Sequence, residues 1–237
     1  MMEKPVVLLD LDDTLLDFKK AEARALSKSL TELGVPHDET VLERYNVLNL
    51  RYWERLENGE LTREQVLVGR FVQLLEEIGA EADPADLRDH YEQNLSVGHF
   101  FVDGAEALLK TLQGRCRLFL VSNGTAVVQQ GRLASAGISG YFEKIFISQE
   151  LGANKPEREY FERCFAEIPG FDRERCIIVG DSLTSDIRGG INAGITTCWF
   201  NLRNRAPRPD VVPDYRIESL SELPELLTEL YGISFGE

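Results

Sequence analysis

Val6-Val7-Leu8-Leu9-Asp10-Leu11-Asp12-Asp13-Thr14 is the stretch whose reading decides the fold. An unbroken apolar run meets two carboxylates set two residues apart. The run is too short for a helix and reads as a strand, Val6–Asp10, buried on both faces. Four later runs share its texture: Arg117–Ser122, Lys144–Ser148, Cys176–Gly180 and Thr196–Asn201, each ending in a polar residue or glycine. Helical patterns lie between most of them, at Ala105–Leu112, Ala126–Ala136, Arg158–Ile168 and Ser185–Ala193, with Gly114, Gly137 and Gly194 placed as C-caps. Strands alternating with helices predict an α/β fold built on a doubly wound, Rossmann-like parallel sheet.

One stretch breaks the alternation. From Asp17 to about Val97 there is no strand pattern, but four amphipathic segments: Phe18–Leu33, Glu39–Asn58, Thr62–Ile78 and Pro84–Leu95. Thr62 with Gln65 reads as a capping box, and Asp83 before Pro84 as N-cap and N1. The expected organisation is a core of residues 1–16 plus 98–237, with an α-helical cap domain of residues 17–97 inserted into it. A lid of helices in that position is expected to close over the strand ends, exclude water and read the leaving group. After Phe200 come a loop rich in Arg and Pro (Arg203, Arg205, Pro207, Arg208, Pro209, Pro213), a short strand near Tyr215–Ile217 and a last helix, Leu223–Tyr231.

The 237 residues carry 26 Lys and Arg against 40 Asp and Glu, a net charge of −14. That balance argues against nucleic-acid polymers and anionic membranes as partners, since both need a positive surface. It leaves room for a small phosphorylated substrate, because one metal ion and one lysine reverse the field locally. An apolar content of 43% and a charged content of 28% are those of a globular chain. Met1–Lys4 leads into an apolar run too short for a signal peptide, and no run approaches the roughly 20 residues of a membrane span. Cys116, Cys164, Cys176 and Cys198 form no C-x-x-C pair and read as buried, reduced thiols of a cytoplasmic protein.

In open α/β sheets ligands gather at the carboxyl ends of the strands, near the point where strand order reverses. Two carboxylates at such an end divide labour: Asp10 as nucleophile, Asp12 as general acid and then base. Read alone, the same residues make an acidic turn. Ser122-Asn123-Gly124 offers a hydroxyl, an amide and backbone N–H groups to phosphate oxygens, and read alone is a turn or an N-cap. Lys155, held extended by Pro156, supplies a cation after the third strand, although a lone lysine is ordinarily solvated. Gly180-Asp181-Ser182-Leu183-Thr184-Ser185-Asp186 places two further acids after the fourth, and Asp186 alone can serve a helix N-terminus. Together the four strand ends hold the parts of a phosphoryl-transfer site. Asp10, Asp181 and the backbone carbonyl of Asp12 suffice for a hard divalent metal such as Mg²⁺.

On these residues the sequence resembles the haloacid dehalogenase (HAD) superfamily, in the branch with a helical C1-type cap inserted after the first motif. The matching motifs are Asp10-x-Asp12-x-Thr14, Ser122-Asn123, Lys155 and Gly180-Asp181 with Asp186. Val121–Gly124, Gly180–Gly190 and Asn192–Asn201 look most like the YjjG-type pyrimidine 5′-nucleotidases. The resemblance implies a Mg²⁺-dependent phosphomonoester hydrolase: Asp10 attacks phosphorus and forms an aspartyl-phosphate, while Asp12 protonates the leaving alcohol and then deprotonates water. It also implies that Ser122, Asn123 and Lys155 neutralise the phosphoryl oxygens, that Thr14 steadies the first turn within that phosphate site, and that Asp181 ligates the metal directly. Asp186 is then expected to orient metal-bound waters or Lys155. The implied substrate is a pyrimidine nucleoside monophosphate, with phosphoglycolate or a sugar phosphate as the alternative.

Other chemistries of the same family fit less well. Hydrolytic dehalogenation needs neither a metal nor a leaving-group acid, so Asp12, Asp181 and Asp186 speak against it. A phosphonatase needs a cap lysine, and none occurs between Lys28 and Lys110. A phosphomutase shares the aspartyl-phosphate and stays open. A non-catalytic regulator would not need the complete set of acids and Lys155. Within the cap, Tyr45, Asn49, Tyr52, Trp53 and Arg55 cluster on the second helix, the first four at helical spacing, and Phe18 stands at the entry. They read either as cap core or as a platform for a nucleobase with Asn49 at its edge. His37, His90 and His99 show no ligand spacing; Arg203, Arg205 and Arg208 could contact a phosphate or ribose, but read first as a solvated loop.

Overall fold

The computed structural model describes residues 4–235; Met1–Glu3, the start of the stretch read as too short for a signal peptide, lie outside them. The first apolar run forms β1 (Val6–Leu9), buried at every position. Its expected last residue, Asp10, lies just past the strand, yet its N–H still donates to the Val179 carbonyl at 3.0 Å. The other runs form β2 (Arg117–Ser122), β3 (Lys144–Ile147), β4 (Cys176–Gly180) and β5 (Thr196–Phe200), and the tail adds β6 (Tyr215–Ile217). The six strands make one sheet in the order β3-β2-β1-β4-β5-β6, with every pairing parallel. Continuous apolar runs are what such a sheet requires, because helices cover both of its faces. Strand order reverses at β1, which lies between β2 and β4, so their carboxyl ends frame the crevice where ligands of such sheets bind.

The helices of this part are α5 (Ala105–Leu112), α6 (Ala126–Ala136), α7 (Ser148–Leu151), α8 (Arg158–Ala166), α9 (Arg188–Ala193) and α10 (Leu223–Tyr231). The helix expected over Ser185–Ala193 opens differently: a wide π-type turn spans Leu183–Ile187, and α-helical geometry begins at Arg188.

The inserted stretch is all helical: α1 (Phe18–Glu32), α2 (Glu39–Glu57), α3 (Arg63–Ile78) and α4 (Pro84–Ser96). Thr62 and Gln65 form the full capping box of α3, and Asp83 caps α4 with Pro84 in its first turn. Tyr45, Phe71 and Tyr91 form an aromatic triad with centroids 5.2–5.5 Å apart in the core of this bundle. Backbone contacts divide the chain into two compact units. One takes the residues up to Asp17, Phe101–Ala126 and those from Gly137 onward; the other takes Phe18–Phe100 and Val127–Ala136. The second unit therefore includes most of α6, which the sequence places in the core. Close packing accounts for this: a Cβ at Gly131 would stand 2.7 Å from the Ser96 carbonyl, and Arg132 donates to the Gly98 carbonyl at 3.2 Å. Val128 also joins the apolar cluster of α1–α4.

All four cysteines are buried and free. No described helix is long and apolar enough to cross a membrane.

Candidate active site

Asp10, directly after β1, is only 6% exposed. Lys155 Nζ donates to its Oδ1 at 2.8 Å, and the Thr14 hydroxyl donates to its Oδ2 at 3.1 Å. Thr14 is fully buried, so its hydroxyl is spent on Asp10, whereas the sequence places it among the phosphate-site residues. Asp12 is half-buried and bridges to Leu16. Between them and Thr14, Asp13 takes a left-handed backbone (φ 59°) and receives Arg203 at 2.9 Å.

Lys155 is 1% exposed and spends three hydrogen bonds, on Asp10 Oδ1, on Asp186 Oδ1 at 2.7 Å and on the Val121 carbonyl at 3.0 Å. Its backbone is bracketed by Asn123, whose Nδ2 donates to the Lys155 carbonyl at 2.8 Å and whose Oδ1 accepts from the Lys155 N–H at 2.9 Å. The carbonyl of the next residue, Pro156, accepts from Asn192 Nδ2 at 2.9 Å. Ser122, at the end of β2, is buried, and its Oγ accepts from the Gly124 N–H at 3.2 Å.

Asp186 reaches the cluster because its turn is wide. Ser182 Oγ accepts from the Ser185 N–H at 3.2 Å, and the Ser182 N–H donates to Asp186 Oδ2 at 3.1 Å. The Asp186 carboxylate then occupies the space a side chain at position 180 would need: a Cβ on Gly180 would stand 2.2 Å from Asp186 Oδ2. Asp181 is half-buried, and its backbone carbonyl accepts from the Trp199 indole N–H at 2.9 Å. Its Oδ2 lies 3.0 Å from an Arg205 guanidinium nitrogen. Arg203 and Arg205, expected in a solvated loop, thus pair with Asp13 and Asp181. Arg208 pairs with Asp210 on the exposed surface, as expected of that loop.

Three carboxylates, of Asp10, Asp181 and Asp186, each bring an oxygen within 4.8 Å of the others. Burial pushes the Asp10 carboxyl up, and the neighbouring Asp186 and Asp12 add to this against the pull of Lys155. Burial also raises Asp181 well above the usual carboxylate range, with Arg205 opposing. Burial would lower Lys155, but Asp10 and Asp186 outweigh it and hold the ammonium protonated. Lys155 and Arg205 bring two positive charges to three acids, so negative charge is left over in this small space. An oxygen-only donor set with a surplus of negative charge fits a hard divalent cation.

In the second unit, Asn49 is 1% exposed and belongs to a buried polar network. Its Nδ2 donates to Glu22 Oε1 at 2.7 Å, and its Oδ1 accepts from Arg70 and from the Trp53 indole. Asn46 holds the other Glu22 oxygen at 2.6 Å. Both polar ends of the Asn49 amide are engaged inside the bundle, as the cap-core alternative requires, and Tyr45 is likewise fully buried. Each histidine pairs locally: His37 with Ser27, His90 with Glu32, and His99 with Ser135. What the sequence reading missed is the work of Asn123, Asn192 and Asn201. Asn123 directly follows a predicted strand and Asn201 ends one, which is the one local signal that could have marked them.

A parallel α/β sheet with acids and a buried lysine gathered at its switch point defines a hydrolase core of the HAD kind. The chain belongs to the haloacid dehalogenase-like hydrolases, whose family model matches residues 4–194. It is 41% identical over 221 residues to the HAD-hydrolase YfnB of Bacillus subtilis, covering 93% of this chain and 94% of that protein. A crystal structure of YfnB bound to magnesium superposes with a TM-score of 0.90, covering 95% of this chain and 99% of that one. The pyrimidine 5′-nucleotidase PynA of Streptococcus pneumoniae is 36% identical over 93% of this chain and 94% of its own length. The pyrimidine 5′-nucleotidase YjjG of Escherichia coli is 31% identical over 93% of this chain and 96% of its own.

Proposed function

We propose that this hydrolase cleaves phosphomonoesters through an aspartyl-phosphate on Asp10, with Mg²⁺ as cofactor, and that its substrates are pyrimidine nucleoside 5′-monophosphates. The observation that carries the reading is the buried Asp10–Lys155–Asp186 bridge with Asp181 beside it. It supplies a nucleophile, a fixed cation and a cation-binding oxygen set at one strand-end crevice. Likeness to PynA and YjjG over nearly the whole chain supports the nucleotide substrate.

In this mechanism Thr14 and Lys155 each hold one oxygen of Asp10, orienting the carboxylate for in-line attack on phosphorus. The bond from Asp10 to phosphorus forms as the bond to the leaving oxygen breaks, and Asp12 gives that oxygen its proton. Asp12 then takes a proton from the water that attacks the phosphorylated Asp10, and phosphate leaves with Asp10 restored. Lys155, the Ser122 hydroxyl and the Asn123 backbone neutralise the charge that develops on the phosphoryl oxygens. Asp10, Asp181 and the Asp12 carbonyl would hold Mg²⁺, which when bound supplies charge neutralisation for nucleophile and phosphoryl group alike. Both Asp186 oxygens already accept from Lys155 and the Ser182 N–H, so Asp186 serves to position Lys155.

The test is a panel of UMP, dUMP, dTMP, phosphoglycolate and sugar phosphates assayed with Mg²⁺ and with EDTA. Preference for the pyrimidine nucleotides and loss of turnover in EDTA are expected. Equal or better turnover of the other phosphates would overturn the substrate, and Mg²⁺-independent turnover would overturn the cofactor. Asp10→Asn is expected to lower kcat at least about a thousandfold, since the nucleophile itself is lost.

A further inference from the structure

We infer that Arg205 is an internal counter-cation for Asp181, holding that carboxylate in the metal-free protein and releasing it when a divalent cation binds. The inference rests on the proposed role of Asp181 as a metal ligand.

Asp181 stands in a strongly negative place. Asp10 and Asp186 lie within 4.8 Å of it, and the charge of Asp13 acts on it as well. The nearby cations are divided among these acids: Lys155 bonds Asp10 and Asp186, and Arg203 bonds Asp13 at 2.9 Å and lies 3.9 Å from Asp17. The charge on Asp181 is met by Arg205, 3.0 Å from Oδ2.

The placement of Arg205 is built into the fold. Asn201, directly after β5 and 2% exposed, donates through Nδ2 to the Arg205 carbonyl at 3.0 Å and accepts at Oδ1 from the Arg205 N–H at 2.8 Å. Asp181 is anchored by its own carbonyl, through the Trp199 indole. Both backbones are pinned, so the pair breaks by rotation of the arginine side chain alone, and the loop need not move. That side chain is 43% exposed against 16% for Asp181, so the pair is open to water at its arginine end, where it can exchange. A hard dication brings twice the charge to the same carboxylate. Metal binding and the Arg205 pair therefore compete, and each must weaken the other by the same factor.

The experiment is calorimetric titration of the EDTA-stripped, dialysed protein with MgCl₂ alone, beside thermal melts in EDTA and in saturating Mg²⁺. Arg205→Gln is expected to bind Mg²⁺ about fivefold more tightly, the factor that loss of one partly exposed ion pair allows. It is also expected to melt below the wild type in EDTA and together with it in saturating Mg²⁺, because the pair exists only in the metal-free state. An unchanged Kd, or an equal loss of melting temperature under both conditions, would overturn the inference. Asp181→Asn separates the two readings. Wild-type Mg²⁺ affinity in that variant would overturn Asp181 as ligand and the inference with it. Lost affinity there, with an unchanged Kd in Arg205→Gln, overturns the inference alone.

Discussion

Asn123 brackets Lys155 across 32 residues, its side-chain amide pairing with both the N–H and the carbonyl of that one residue. Asn201 treats Arg205 in the same way. In both places the amide at a strand end stands in for a neighbouring peptide group, so a side-chain cation is rooted in the sheet although it belongs to a loop. The lysine must then meet Asp10 and Asp186 with little freedom of its own. Asn123→Ala should misplace Lys155 by a fraction of an ångström and lower kcat about 10- to 100-fold, as small misalignments at reacting centres do. The fold should persist. Steady-state kinetics on the preferred phosphomonoester, with melting temperature as control, checks this, and an unchanged kcat would show that the bracket has no catalytic consequence.

Lys155 itself holds two buried carboxylates apart from bulk water. Lys155→Met keeps the shape and removes the charge, leaving Asp10, Asp186 and the Val121 carbonyl without their shared donor. Breaking a buried pair by removing one partner costs about 3–5 kcal/mol. The metal-free variant should lose that much in urea unfolding at pH 7 and recover part of it in Mg²⁺. A loss below about 1 kcal/mol would mean that a proton on Asp10, whose carboxyl burial already pushes up, replaces the ammonium cheaply.

Much of this core could be read before any coordinates. Strands buried on both faces must be continuously apolar, and Val6–Leu9, Cys176–Gly180 and their neighbours are. The inserted helices announce themselves by capping chemistry, as at Thr62 and Asp83. The turn after β4 was not legible, because a π-type turn follows no 3.6-residue period; its trace is Gly180, whose missing side chain makes room for Asp186. The partners of Arg203 were equally hidden, since a pair between residues 13 and 203 leaves no local pattern. Arg205 looked like surface for the same reason, although its anchor Asn201 is only four residues away.

The buried network of the helical unit makes a separate prediction. Asn49→Ala would strip one amide from Glu22 and an acceptor from both Arg70 and Trp53. Leaving buried charged groups partly unsatisfied costs about 2–4 kcal/mol. Thermal melts should show the loss whether or not substrate is present. A raised KM without loss of stability would return Asn49 to the role of a base-reading residue.

The last prediction concerns acid. Arg44 donates to both oxygens of Glu77, at 2.6 and 2.7 Å, and Gln73 adds a third hydrogen bond at 2.9 Å. The Arg44 hydrogen bonds first, and Gln73 after them, pull the Glu77 carboxyl down from 4.5 to about 2. A carboxyl whose folded value lies below its unfolded one stabilises the fold above the unfolded value, and that contribution is lost as pH falls through the folded value. The melting temperature of Glu77→Gln should therefore lie below the wild type at pH 6. The gap should narrow from about pH 4.5 downward and close near pH 2. NMR titration of the Glu77 side chain in the folded protein checks the cause directly: a midpoint near 4.5 would show that the bridge between α2 and α3 does not hold in solution.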